Sequence, residues 1–263
     1  MAGVAGGYGI EVGVFEHLRG LVRTGQSNTT GAATPSKGAG LHLNGGNTLR
    51  TRIRKRQPLP SESQAARAIY VDFEGFKDKP PSLVGILVDG QLRQVVLEPQ
   101  LYPAAVAKDC ETGSIEAVAR ELRARCQAEG RVLIGFSTHE LEAFKRHAGE
   151  NFDDVYRNAL VIARRWWHVF HPGEVRPRTL KSYLKAIGHE MPAFLGVGKA
   201  TSRLKSVIGS LSRRGKYKAL PKGIKNKWYK LLDYNKHDCK GTQMLVILAA
   251  RELATRSRPV SPR

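Results

Sequence analysis

Apolar and polar residues alternate from Ile69 to Glu74, which puts Ile69, Val71 and Phe73 on one face of a strand and Tyr70, Asp72 and Glu74 on the other. Two further apolar runs follow, SLVGILV (Ser82–Val88) and QLRQVVLE (Gln91–Glu98), separated only by Asp89-Gly90. An Asp-Gly pair between apolar runs predicts a hairpin, because a type I′ turn needs positive φ at both central residues. Ile115, Val118, Ala119 and Leu122 then recur at helical spacing, predicting a helix over Ile115–Ala128 that stops at Gly130. RVLIGF (Arg131–Phe136) reads as a fourth strand, and helices are predicted over His139–His147 and Val155–Trp167. Thr179 has the chemistry of an N-cap for a helix reaching Ile187, where Gly188 ends it. A last long helix is predicted from near Asn226 to about Leu253. Strands lead and helices follow, so the fold class is α/β: one mixed sheet with helices on its faces.

Before Ala68 the pattern fades. Residues 1–66 are rich in Gly, Ser, Thr and Asn and end in a basic run, Arg50 to Arg56, followed by Pro58 and Pro60. Such a stretch cannot bury enough apolar surface to offset its ordering entropy, and it reads as a low-complexity, disordered basic arm. Residues 254–263 read as a disordered basic tail, leaving 67–253 as the folded domain.

Charge narrows the field more than composition does. Lys plus Arg number 43 against 23 for Asp plus Glu, a formal charge of +20. That imbalance disfavours a small-molecule housekeeping enzyme and points to a polyanion, nucleic acid before an anionic membrane surface. Cys110, Cys126 and Cys239 stand far apart without a CxxC pair, against a disulfide scaffold or a cysteine zinc site. No apolar run approaches the roughly 18–20 residues of a membrane span, and the first residues lack the basic and apolar regions of a secretory signal. The expectation is a cytoplasmic protein facing nucleic acid, with no membrane partner.

Asp72 and Glu74, two apart near the end of an apolar strand, repel each other unless something neutralises them. A divalent cation does so; a strand end reaching solvent is the commoner explanation of a lone Asp-x-Glu. The pair has company. In LLDYNKHDCKGTQML (Leu231–Leu245), Tyr234 and Asp238 are four apart and share one helix face. In LIGFSTHELEAF (Leu133–Phe144), Glu140 falls in the first turn of a helix that follows a strand, facing strand ends. Neither a GxSxG elbow nor an HExxH zinc motif is present.

YVDFEG, GFSTHELEAF, TLKSYLKAIG and LDYNKHDCKGTQML, in that order, resemble the motifs of DEDD-type 3′–5′ exonucleases, above all a ribonuclease-H-like branch of the tyrosine subclass. The resemblance covers about Ala68–Leu253 and implies a ribonuclease-H-like fold. It implies Asp72, Glu74 and Asp238 as metal ligands and Tyr234 as the residue that orients the attacking water. In the second motif the family has Asp where this chain offers Glu140, with Glu142, Asp153 and Asp154 as the alternatives. The implied cofactors are two Mg²⁺ or Mn²⁺ ions about 3.5–4 Å apart, which stabilise the attacking and leaving oxygens of an in-line displacement. The implied activity is 3′–5′ exonucleolytic hydrolysis of single-stranded DNA or RNA. A catalytically idle nucleic-acid-binding module and a structure-selective endonuclease of the same fold are the competing readings.

Between Glu190 and Asp233 there is no acidic residue. Arg203, Lys205, Arg213, Arg214, Lys216, Tyr217, Lys218 and Lys222 are the candidate nucleic-acid contacts there, with charge for phosphates and an aromatic ring for unpaired bases. Gly209, Gly215, Pro221 and Gly223 make part of the segment read as a mobile loop beside the carboxylates. Trp228 is expected to pack in the core, whereas Trp166 and Trp167, about 100° apart on a helix, are not expected to share one core.

Overall fold

A computed structural model describes residues 57–189, 191–196 and 198–256. The expected arm, as far as residue 56, and the tail from 257 lie outside the described residues. Ahead of the first strand, Ser61 and Gln64 form a reciprocal capping box that starts a short helix, α1 (Glu62–Ala66). Ala65 is fully buried, and the Tyr70 hydroxyl donates to its carbonyl at 2.7 Å. Structure therefore begins before Ala68, where the strand pattern starts.

Strands β1 (Ile69–Gly75), β2 (Pro81–Val88) and β3 (Gln91–Val96) form an antiparallel meander. The turn is the predicted one, with φ of 50° at Asp89 and 78° at Gly90. Helix α2 (Tyr102–Val106) and the two-residue β4 (Glu111–Thr112) lead into α3 (Ile115–Glu129), capped by Ser114 and closed by Gly130. β5 (Leu133–Gly135) runs parallel to β1, and β6 (Tyr156–Asn158) parallel to β5. The sheet order is β4-β3-β2-β1-β5-β6. It is a mixed six-stranded sheet with helices on both faces, consistent with the ribonuclease-H-like class that the motifs implied.

Alternation along β1 decides which residues face which helices. Ile69, Val71 and Phe73 pack with α3 and Phe144, whereas Tyr70 packs with α5 (Ala159–Phe170), α6 (Leu180–Ala186) and α8 (Lys222–Arg256). Asp72 and Glu74, in phase with Tyr70, thus fall on the α8 side.

Several expectations are corrected. The helix predicted over Val155–Trp167 is a strand and a helix, because Asn158 ends β6 and its side chain caps α5 by accepting from Val161 N–H at 3.2 Å. The helix at His139 is α-helical only to Ala143 (α4) and continues as a π-helical turn, Phe144–Ala148. The segment expected to be in part a mobile loop is largely helical: a 15-residue helix, α7 (Ala200–Arg214), then a single 3-10 turn at Tyr217–Ala219 and the start of α8 at Lys222. Leu204, Val207 and Leu211 form its inner stripe and pack with Trp228 and Leu231 of α8, while Gly209 lies within the helix and Gly215 ends it. Trp166 and Trp167 do share one core. Their rings meet edge to face at 5.8 Å; the Trp166 indole donates to Glu252, and Trp167 stacks on His171. Trp228 is fully buried, as expected.

Candidate metal centre

β1 pairs Asp72 with Gly85 of β2, and α8 crosses the sheet over that pair. A side chain at position 85 would occupy the crossing: a Cβ there would lie 2.3 Å from Asn235 Oδ1 and 2.8 Å from Cys239 Sγ. The glycine in the middle of SLVGILV therefore admits α8 close to the sheet, at the cost of some strand propensity. The approach brings Asp238 to the carboxylates of β1. One ligand oxygen from each of Asp72, Glu74 and Asp238 lies within 4.8 Å of the other two.

Asn235 is fully buried and ties the helix to the strand. Its Nδ2 donates to Asp72 Oδ2 at 2.9 Å and to the Asp72 carbonyl at 3.0 Å. Its Oδ1 accepts from Gln94 Nε2 at 2.9 Å, and the same Gln94 amide donates to the Leu232 carbonyl. Asp72 is therefore oriented by a chain that begins on β3.

Glu140, buried in the first turn of α4, is not among the carboxylates that meet within 4.8 Å, but its charge acts on Asp72 and Asp238. Its Oε2 accepts from the Ser137 N–H and hydroxyl, and the Tyr156 hydroxyl stands 3.2 Å from it. The donors converge on one oxygen. Of the alternatives, Glu142, Asp153 and Asp154 are exposed, and Asp154 pairs with Arg123 at 2.7 Å. Glu140 is the one whose charge reaches Asp72 and Asp238.

The electrostatics are those of a site short of positive charge. Burial, then the charges of Glu74, Asp238 and Glu140, hold the Asp72 carboxyl well above the usual range; only the Asn235 hydrogen bond pulls it back. Burial and Asp238 push Glu74 up to about 8, against the opposing pull of Lys181 and Arg203. Burial pushes Asp238 up to about 6, with Lys181 and Tyr234 pulling it down. The Tyr234 phenol is itself raised by burial and these carboxylates, so it keeps its proton. Asp238 Oδ1 is buried without a hydrogen-bond partner, an arrangement that costs free energy unless a cation takes it. All four donors are carboxylates, hard ligands of the kind Mg²⁺ and Mn²⁺ prefer. The residues present fit such ions.

Beside Glu74 opens a cleft of about 300 Å³ whose walls carry Lys77, Lys79, His139, Arg146 and His147. Sequence reasoning passed over these cations because they are scattered among three elements. It also passed over Asn235, although Asn235, Asp238 and Cys239 lie three and four apart on one face of α8 and could have been read together.

The sequence-predicted nucleic-acid contacts are not gathered in one place. Arg203 is buried, and its guanidinium donates to the Leu195 carbonyl and, at 3.4 Å, to the Lys230 carbonyl. Thr201 donates to the Gly75 carbonyl at 3.2 Å, so α7 starts at the carboxylate end of β1. Lys205 is exposed one turn further on. Arg213, Arg214, Lys216, Lys218 and Lys222 are exposed toward and beyond the far end of α7, and Arg213 is about 18 Å along the helix from Thr201 at 1.5 Å per residue. Tyr217 is half-buried, its hydroxyl enclosed without a partner and Lys225 over its ring.

No protein-family model and no curated protein matches the chain. Among solved structures, the EXD2 exonuclease domain, in a crystal soaked in Mn and GMP, is similar over 76% of this chain and 89% of that one, with 11% identity and a TM-score of 0.25. A likeness that slight assigns neither fold nor function. Among the described residues, no helix is long and apolar enough to cross a membrane.

Proposed function

We propose that the chain is a metal-dependent nuclease, a 3′–5′ exonuclease acting on single-stranded DNA or RNA, with residues 67–253 as its catalytic domain. One observation carries the reading: carboxylates of β1 and α8 converge within 4.8 Å, with Glu140 of α4 acting on them through its charge and too few cations to balance them. The ordered exonuclease-like motifs supply the reaction class. Asp72, Glu74, Glu140 and Asp238 would hold two Mg²⁺ or Mn²⁺ ions. Such ions, when bound, supply Lewis acidity at the phosphoryl oxygens and make an attacking water more acidic.

The rest is done by this chain's own groups. Asn235, held by Gln94, keeps Asp72 Oδ2 engaged and turns the carboxylate toward Glu74 and Asp238. Ser137 and Tyr156 engage one oxygen of Glu140 in the same way. Tyr234, protonated and a helical turn from Asp238, orients the water through its hydroxyl. Lys205, Arg213, Arg214, Lys216, Lys218 and Lys222 draw in the phosphodiester backbone by charge, and the Tyr217 ring offers a stacking edge.

The test is digestion of single-stranded DNA and RNA oligonucleotides, labelled at either end, with Mg²⁺ or Mn²⁺. A ladder shortening from the 3′ end, lost in EDTA and in Asp72→Ala and Asp238→Ala, is the expected result. Cleavage of a circular substrate would make the protein an endonuclease, and absence of divalent-dependent cleavage of every substrate overturns the proposal.

A further inference from the structure

TLKSYLKAIG folds as α6 because Thr179 and Ser182 form a capping box and Leu180, Tyr183 and Leu184 make a buried stripe. Leu184 presses on the bare backbone of Gly241, where a Cβ would come 2.4 Å from Leu184 Cδ1. α6 therefore lies hard against α8 one turn beyond Asp238, and its first turn brings Lys181 within electrostatic reach of Glu74 and Asp238. Lys181, in that turn, places its Nζ 4.3 Å from the centre of the Tyr234 ring. Its charge acts on both Glu74 and Asp238.

The two cations nearest the centre differ in how they are used. Arg203 is committed to backbone carbonyls of other segments. Among the described residues Lys181 joins no ion pair, and its ammonium rests only on the face of the Tyr234 ring. Charge balance gives that ammonium a role. Four carboxylates would be balanced by two divalent cations, and a phosphodiester entering beside Tyr234 would then bring one further negative charge. Arg203 acts on the centre through its charge but its guanidinium is held by carbonyls, which leaves Lys181 as the nearby cation able to contact that anion.

We propose that Lys181 is a substrate-contacting residue whose ammonium binds a non-bridging oxygen of the phosphodiester held beside Tyr234. The inference rests on the nuclease reading and adds a residue to it. A lysine on a flexible stem suits this role, since it can leave the ring face for an anion without moving the helix that carries it.

The experiment uses the full chain, Lys181→Met, Lys181→Arg and a fluorescent single-stranded oligonucleotide, with Ca²⁺ in place of Mg²⁺ so that binding is read without turnover. Calorimetric titration of Mn²⁺ into the protein alone accompanies it, and thermal melts check folding. Lys181→Met is expected to weaken Ca²⁺-dependent oligonucleotide binding about tenfold or more, as for loss of a charged hydrogen bond. Lys181→Arg should keep most of the affinity, and Mn²⁺ binding without oligonucleotide should be unchanged or tighter in Lys181→Met. Unaltered oligonucleotide affinity in a folded Lys181→Met would overturn the proposal and leave Lys181 as a counter-charge alone. Absence of divalent-dependent cleavage by the wild type, with the oligonucleotide still bound, would instead remove the nuclease reading, and this inference with it.

Discussion

The two ends of β1 each hold a group of carboxylates, and they are treated in opposite ways. At the start of the strand, Asp89 and Glu129 lie at the surface among arginines. Arg131 donates to both Asp89 oxygens, at 2.8 and 2.9 Å, and also to Glu129, while Arg125 reaches Glu129 at 2.7 Å. These hydrogen bonds hold both carboxyls below the usual range. At the far end, Asp72, Glu74 and Asp238 are pushed up by burial and by neighbouring carboxylates, and Glu140 by burial. A chain with 43 Lys and Arg does not lack cations for this second group. It withholds them, which leaves room for cations that the chain does not encode.

The contrast breaks most sharply at the proposed ligands. Asp72→Ala or Asp238→Ala should lower divalent-dependent cleavage beyond the roughly 100-fold seen when only a ligand's support is lost, whereas Asp89→Ala should leave cleavage intact. Equal sensitivity at both ends would dissolve the distinction.

Next in size is the brace. Asn235→Ala should weaken Mn²⁺ binding by about 10–100-fold, read by calorimetry, because Asp72 loses the donor that orients it. Gly85→Ala should act in the same direction through the contact with Asn235, and Gln94→Ala should do less. If Asn235→Ala binds Mn²⁺ like the wild type, the brace has no part in the centre.

Stability against pH should separate the two groups by sign. A carboxyl raised by folding binds its proton more tightly in the folded state, so stability falls as pH rises through its folded pKa. With Asp238 near 6 and Glu74 near 8, the metal-free protein should lose stability between about pH 5 and 8, at ~1.4 kcal/mol per pH unit for each excess proton held. Asp89 and Glu129 act oppositely, and their contribution disappears only as pH falls below the ordinary carboxylate range. Mn²⁺ at a hundred times its dissociation constant should restore ~2.7 kcal/mol at neutral pH. A denaturation series with and without Mn²⁺ checks both; a flat metal-free profile counts against the buried cluster.

The smallest effect belongs to the surface end. Arg131→Ala should shift the melting temperature by no more than about 4 °C and leave cleavage unaltered, because its carboxylate partners are half in water.

Local signals in the chain were readable where one residue's chemistry settled the matter. The Asp89-Gly90 turn, the alternation that sends Asp72 and Glu74 to one face and the Thr179 cap all depend on neighbours within a few residues. α7 was hidden for a different reason. Its apolar spacing at Leu204, Val207 and Leu211 is present in the chain, but glycines and a high density of charge pointed to a loop. The Trp166–Trp167 pair misled because a single helix cannot place both rings on one side; walls supplied by α6, α8 and His171 enclose them together.

Periods of two and 3.6 along the chain were enough to name an α/β sheet and to put Asp72 with Glu74, and Tyr234 with Asp238, on shared faces, while the resemblance to exonuclease motifs singled out Asp72, Glu74, Glu140 and Asp238 as candidate ligands. The fate of the cations required the folded chain. Arg203 turns inward because carbonyls of Leu195 and Lys230, eight and 27 residues away, wait for it there. Lys181 stays uncommitted because Gly241 lets α6 press against α8 and set the ammonium on the Tyr234 ring. A long side chain takes its partner from whatever packing brings within reach, and sequence spacing carries no record of that.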